Sequence, residues 1–116
     1  MKFGIQYEQG EIIIVPFTFS NLSIIKQRPV LVLSKKEYNN KTEDIITCGI
    51  TSNIKNELYS ILIDNKNLTI GQIPVQSRIK VDKLFTVHQN IIRKKLGKLN
   101  EETFKKVIEE LIKLVK

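Results

Sequence analysis

The 116-residue chain is short of the groups from which metal centres and nucleophilic triads are built, with a single cysteine, Cys48, and a single histidine, His88. One thiol excludes an internal disulfide and agrees with a reducing compartment. One imidazole, with no thiol or second imidazole near it in sequence, lacks the spacing of a zinc site. A Ser-His-Asp triad would have to be assembled around His88 without any local signature. Neither a Gly-x-Ser-x-Gly elbow nor a glycine-rich phosphate loop is present. No apolar stretch approaches the length needed to span a bilayer, and the N-terminus lacks an apolar signal core, so the expected location is the cytoplasm. Cys48 falls within the apolar run 45–50 and reads as a small buried hydrophobe. His88 reads as a surface or strand-end residue.

What is abundant is positive charge. Nineteen Lys and Arg stand against twelve Asp and Glu, a formal net charge of +7. That balance favours a polyanionic partner: nucleic acid, an anionic membrane surface or an acidic protein. With 41% hydrophobic and 27% charged residues the chain has the composition of a folded domain. Its length fits one domain over residues 1–116, small enough for dimerisation to help it bury surface.

Residues 1–9 read as a polar lead-in. A strand over 11–15 follows Gly10, and Pro16 is expected to end its pairing. Residues 17–27 show no period and read as a long loop carrying Ser20 and Asn21, of the kind that is often functional. Further strands are expected over 29–35, 44–52, 59–64 and 77–87, with a turn at 36–43. The last of them slips phase at Leu84 and Phe85, the mark of a bulge or bend. Residues 90–97 read as a short sixth strand or turn. Asn100 is a suitable N-cap for a helix to about residue 115, with Glu101 and Glu102 in its first turn. Phe104, Val107, Ile108 and Leu111 recur at helical spacing. Five or six short strands closed by one helix predict a mainly β domain, a small curled antiparallel sheet or barrel.

One stretch stands out for chemistry: Gln27-Arg28-Pro29-Val30-Leu31-Val32-Leu33-Ser34. Pro29 biases Arg28 to an extended backbone, so a permanently charged guanidinium stands at the mouth of an apolar strand. The next strand ends in Thr51-Ser52-Asn53, three small hydrogen-bonding side chains. In antiparallel neighbours the start of one strand lies beside the end of the other, so Arg28 and Thr51 are expected to share an edge. Read separately, Arg28 suits a surface ion pair and Thr51-Ser52-Asn53 a strand-ending turn. Together they suit metal-free RNA cleavage, in which the substrate supplies its own 2′-hydroxyl nucleophile. Asp82 and Glu11 are the candidate bases by strand layout. Lys26, Lys80, Lys83 and the run Arg93-Lys94-Lys95 are candidate phosphate contacts, or plain solvated charges.

From about residue 8 to residue 115 the ordered set of motifs resembles the MazF/PemK family of toxin endoribonucleases. It is carried by Gly10-Glu11-Ile12-Ile13-Ile14-Val15-Pro16-Phe17, by Arg28 to Ser34, by Ile50-Thr51-Ser52 and by Ile79-Lys80-Val81-Asp82-Lys83-Leu84-Phe85-Thr86-Val87, with the Leu-rich helix after Gly97-Lys98-Leu99. The resemblance implies an SH3-like barrel of the CcdB/PemK type over about 8–97, with the C-terminal helix over about 100–115. It implies a homodimer that cleaves single-stranded RNA in the cytoplasm without a metal or other cofactor. A small antitoxin would neutralise it by laying its tail in the RNA groove. The family's catalytic arginine corresponds to Arg28 and its catalytic Thr/Ser to Thr51, and Asp82 aligns with an acidic position that some members use. Ser20, Asn21, Lys26, Gln27, Ser52, Asn53, Lys80 and Lys83 are then the expected RNA contacts. Gln27 departs from the basic residue that many members carry there. The related CcdB branch, which binds a protein target and has no nuclease chemistry, gives the alternative reading of a toxin or nucleic-acid-binding module without catalysis.

Overall fold

A computed structural model describes residues 4–18 and 25–116. Seven antiparallel strands form one sheet: β1 (Glu11–Thr18), β2 (Ile25–Val32), β3 (Asp44–Thr51), β4 (Ser60–Ile63), β5 (Leu68–Gly71), β6 (Ser77–His88) and β7 (Lys94–Leu99), in the spatial order β4-β6-β3-β2-β1-β7-β5. The two outermost strands, β4 and β5, are separated in sequence only by Asp64 and the short 3-10 turn it caps, Asn65–Asn67. The ends of the sheet are therefore drawn together and the sheet curls on itself, as the mainly β barrel reading expects.

Successive residues of a strand point to opposite faces, so the unbroken apolar run in β2 buries both sides of the sheet. Leu31 and Leu33 join Ile12, Cys48, Ile50, Ile63, Ile79, Val81 and Leu99 inside the curl. Val30 and Val32 join Tyr7, Ile13, Val15, Ile45 and Val87 on the other face, with Phe17, Phe85 and Ile92 packed against them. The C-terminal helix α2 (Glu101–Val115) closes the inner cluster through fully buried Val107 and partly buried Phe104 and Leu111. Its N-cap is the expected Asn100, whose side-chain oxygen accepts from the Thr103 N–H at 2.8 Å. Among the described residues no helix is long and apolar enough to cross a membrane.

Three expectations need correction. Pro16 does not end β1: it pairs with Gln27, and β1 runs to Thr18. The Ile14 carbonyl accepts from the Arg93 N–H at 2.8 Å, so even-numbered residues of β1 turn their amides toward β7. Pro16 lies two residues beyond the last β1–β7 pair, Ile14–Lys94, so its missing N–H interrupts no rung of that ladder. The stretch read as a loop over 17–27 thus contributes strand at both ends, and Ser20 and Asn21 lie outside the described residues. Residues 36–43, expected as a turn, hold a short helix, α1 (Lys36–Lys41). It has no apolar stripe and is anchored by a polar one: buried Asn39 donates to the Tyr7 and Ser34 carbonyls at 2.9 and 3.0 Å. The strand β5 was not expected at all, being four residues long and ending in Gly71.

Candidate functional site

The site begins with a proline. Leu33 donates its N–H to the Ile46 carbonyl, so odd-numbered residues of β2 turn their amides toward β3. Pro29 falls in that series and has no N–H to give. The β2–β3 ladder accordingly stops at the pair Val30–Gly49. Beyond it the strands are no longer tied, and the gap between them is the mouth of a cleft of about 1020 Å³. Carrying the register two residues further sets Arg28 across from Thr51, and both line this cleft.

β6 supplies the opposite wall through a bulge. Gly49 pairs with Lys80 and Cys48 with Leu84, so Val81, Asp82 and Lys83 are extra residues on the β6 side. The bulge lies just ahead of the phase slip seen in the sequence. Val81 turns inward and is fully buried, while Lys80, Asp82 and Lys83 line the cleft. The Lys80 ammonium is 4.0 Å from the Asp82 carboxylate. Phe17 and Phe85 meet edge to face at the cleft, ring centroids 5.3 Å apart.

The third wall is the segment between β3 and β4, which contributes Asn53, Lys55, Asn56, Glu57 and Leu58. The Thr51 hydroxyl oxygen accepts from the Asn53 N–H and the Asn53 side chain accepts from the Lys55 N–H, each at 3.1 Å. Buried Arg78 pins the segment from beneath, donating to the Ile54 carbonyl at 3.3 Å and to the Ser60 hydroxyl at 3.2 Å. Glu57 forms an ion pair with Lys80. The hydrogen bond from Lys80, together with that ammonium's charge, holds the Glu57 carboxyl below its ordinary range, and Lys55 and Lys83 pull the same way. The lining thus sets Arg28, Lys55, Lys80 and Lys83 against Glu57 and Asp82, a cationic excess suited to a phosphodiester backbone.

Six of the expected site residues therefore share one cleft: Arg28, Thr51, Asn53, Lys80, Asp82 and Lys83. Lys26, Gln27 and Ser52 line a smaller neighbouring pocket of about 310 Å³, in which Arg28, Pro29 and Ile50 also take part. Arg28 stands on the wall common to both. Among the described residues no group of three His, Cys, Asp or Glu gathers as a metal site.

The sequence model of the PemK-like, MazF-like toxins of type II toxin-antitoxin systems matches residues 8–115. The chain belongs to that family. A chain of the MazE–MazF complex from Deinococcus radiodurans shares its fold with a TM-score of 0.79 at 20% identity, covering 96% of this toxin and 97% of that chain. An endoribonuclease in complex with its cognate antitoxin, from a mycobacterial species, gives 0.78 at 15% identity, with 94% of each chain covered. A further mycobacterial endoribonuclease gives 0.77 at 16%, covering 98% of this chain and 95% of that one. No curated protein sequence matches the chain at a significant level.

Two expectations about the toxin's site fail. Glu11 is not a candidate base in the cleft. It is buried at the start of β1, accepts from the Glu8 N–H at 2.8 Å and pairs with Lys95 at 2.9 Å. Lys95 is accordingly no spare phosphate contact, since its ammonium also donates to the Gln6 carbonyl and sits 5.3 Å from the Tyr7 ring centroid. His88 is a strand-end residue as expected, its Nδ1 accepting from the Asn90 N–H at 3.1 Å. Sequence reasoning missed Lys55, Asn56 and Glu57, in the polar connection between the strands expected over 44–52 and 59–64, and Arg78, whose anchoring role depends on partners distant in sequence.

Proposed function

We propose that this toxin is a metal-independent endoribonuclease that cleaves single-stranded RNA in the cytoplasm, acts as a homodimer and is neutralised by a small antitoxin. The single observation that carries the reading is the meeting of Arg28 and Thr51 across parted strands, in a cationic cleft that also holds Asp82. The family's place in toxin-antitoxin systems and the endoribonuclease and antitoxin-complex names of its structural relatives support it.

The chemistry asks little of the protein. The ribose 2′-oxygen attacks the adjacent phosphorus, the bond to the 5′-oxygen breaks, and a 2′,3′-cyclic phosphate and a 5′-hydroxyl remain. Arg28 offers a planar fork of donors to the non-bridging oxygens as charge builds on them. The Thr51 hydroxyl donates a further hydrogen bond to an oxygen that gains charge. Asp82 takes the proton from the 2′-hydroxyl, and solvent water gives a proton to the departing 5′-oxygen. Lys80 and Lys83 hold the backbone on either side, and Phe17 and Phe85 offer ring surfaces on which bases stack. In the adjoining pocket Lys26, Gln27 and Ser52 contact the next nucleotide.

The test is cleavage of a defined single-stranded RNA, in EDTA, by the parent and by Arg28→Ala. The variant is expected to fold and to leave the RNA intact, and cutting at the parent's rate removes Arg28 from the site. RNA bound by the parent without new ends favours the CcdB-like binding reading instead.

A further inference from the structure

The Glu57–Lys80 ion pair occupies ground that a nucleic acid needs. Lys80 is the most enclosed cation of the cleft's β6 wall, its side chain 13% exposed, and its ammonium faces the cleft beside Asp82. Glu57 reaches it from the segment between β3 and β4, where no helix or strand holds the backbone. Lys55 and Lys83 line the same cleft, and their charges act on the same carboxylate. A carboxylate on a stretch without regular secondary structure thus sits among three ammonium groups, where a backbone phosphate would find its counter-charges.

We propose that Lys80, with Lys55 and Lys83, forms a binding site for a non-scissile RNA phosphate, and that Glu57 fills this site until RNA displaces it. The inference rests on the RNA-cleaving reading of the cleft and adds to it an internal competitor. Arg28 and Thr51 meet the scissile phosphate; the lysine site meets a neighbouring one and sets affinity. Glu57 lowers the fraction of molecules ready to bind, and apparent affinity falls by that fraction. The pair is solvent-exposed on the Glu57 side, so the closed form exceeds the open one only modestly, and removing Glu57 is expected to tighten binding about two- to six-fold.

The experiment is a double-mutant cycle on the full chain. Affinity for a fully 2′-O-methylated single-stranded oligonucleotide, which cannot be cleaved, is measured by fluorescence anisotropy for the parent, Glu57→Gln, Lys80→Met and the double variant. Lys80→Met keeps the buried stem of the side chain, and circular dichroism verifies folding of all four. Glu57→Gln is expected to tighten binding in the parent background and to change nothing once Lys80 is gone. Equal tightening in both backgrounds overturns the proposal, because Glu57 then repels RNA through its general field and not by holding Lys80. No tightening in the parent background overturns it as well. A parent protein that fails to bind the oligonucleotide overturns the RNA reading itself, which separates the two failures.

Discussion

Replacing Thr51 by valine removes one oxygen and leaves a β-branched side chain at the end of β3. Among the described residues the hydroxyl has one structural duty, accepting the exposed Asn53 N–H at 3.1 Å. An exposed hydrogen bond of this kind contributes about 1 kcal/mol, so Thr51→Val is expected to lower Tm by no more than about 5 °C. Its proposed duty toward the RNA is larger. Loss of one donor to an oxygen that gains charge in the transition state slows reaction by about 10²–10³-fold. Single-turnover cleavage of a mapped RNA site, run beside a thermal melt, separates the two effects. The expected outcome is a near-parental melt with a rate down by about two orders of magnitude, and recovery of most of that rate in Thr51→Ser. A valine variant that cuts as fast as the parent refutes the role assigned to the hydroxyl. A valine variant that unfolds many degrees early shows instead that Thr51 holds the cleft open by structure.

Burial pushes the Cys48 thiol up from 9.0 to about 12, with the Asp82 charge adding to it. The unfolded chain releases this proton first, so the associated stability is fully present below pH 9 and is lost as pH rises toward 12. Urea midpoints at about pH 8 and about pH 10 should show a loss of about 1 kcal/mol that Cys48→Val abolishes; identical slopes for parent and variant contradict it. Gly97 faces Gly71 where β5 pairs with β7, and a Cβ on Gly97 would lie inside van der Waals contact of the Ile70 carbonyl oxygen. Because backbone cannot swing away, Gly97→Ala should cost about 1–3 kcal/mol by urea unfolding, and an unchanged midpoint would show that β5 can move off β7.

Periodicity carried most of the architecture. The run from Glu11 to Val15, the apolar stretch after Pro29 and the spacing of Phe104, Val107 and Leu111 each announce an element whose burial pattern follows. Local signals failed where distant partners decide the outcome. The KEYNNK helix is held by Asn39 reaching Tyr7, 32 residues away, and no pattern within six residues shows that. Pro16 was misjudged because whether a missing N–H matters depends on which neighbour it would have faced. Pro16 proves harmless where β7 has ended. Pro29 proves constructive, since the ladder stops there and the cleft opens beside Arg28. Arg28 and Thr51 were readable because one begins a strand and the other ends its antiparallel neighbour, whereas Asp82 came from the same layout that wrongly offered Glu11. Glu57 and Lys55 were not readable, because nothing in a polar turn tells which way its charges fold.

In the proposed reaction RNA supplies its own nucleophile, and the protein supplies a guanidinium and a hydroxyl. The direct measurement takes a single-stranded RNA whose cut site has been mapped and replaces the one 2′-hydroxyl at that site with hydrogen, then compares both strands with the parent protein in EDTA. The expected result is a 2′,3′-cyclic phosphate end from the all-ribose strand and no cut at the substituted position. Cleavage of the deoxy-substituted strand at the same bond would contradict the account, since the attacking oxygen would then have come from elsewhere.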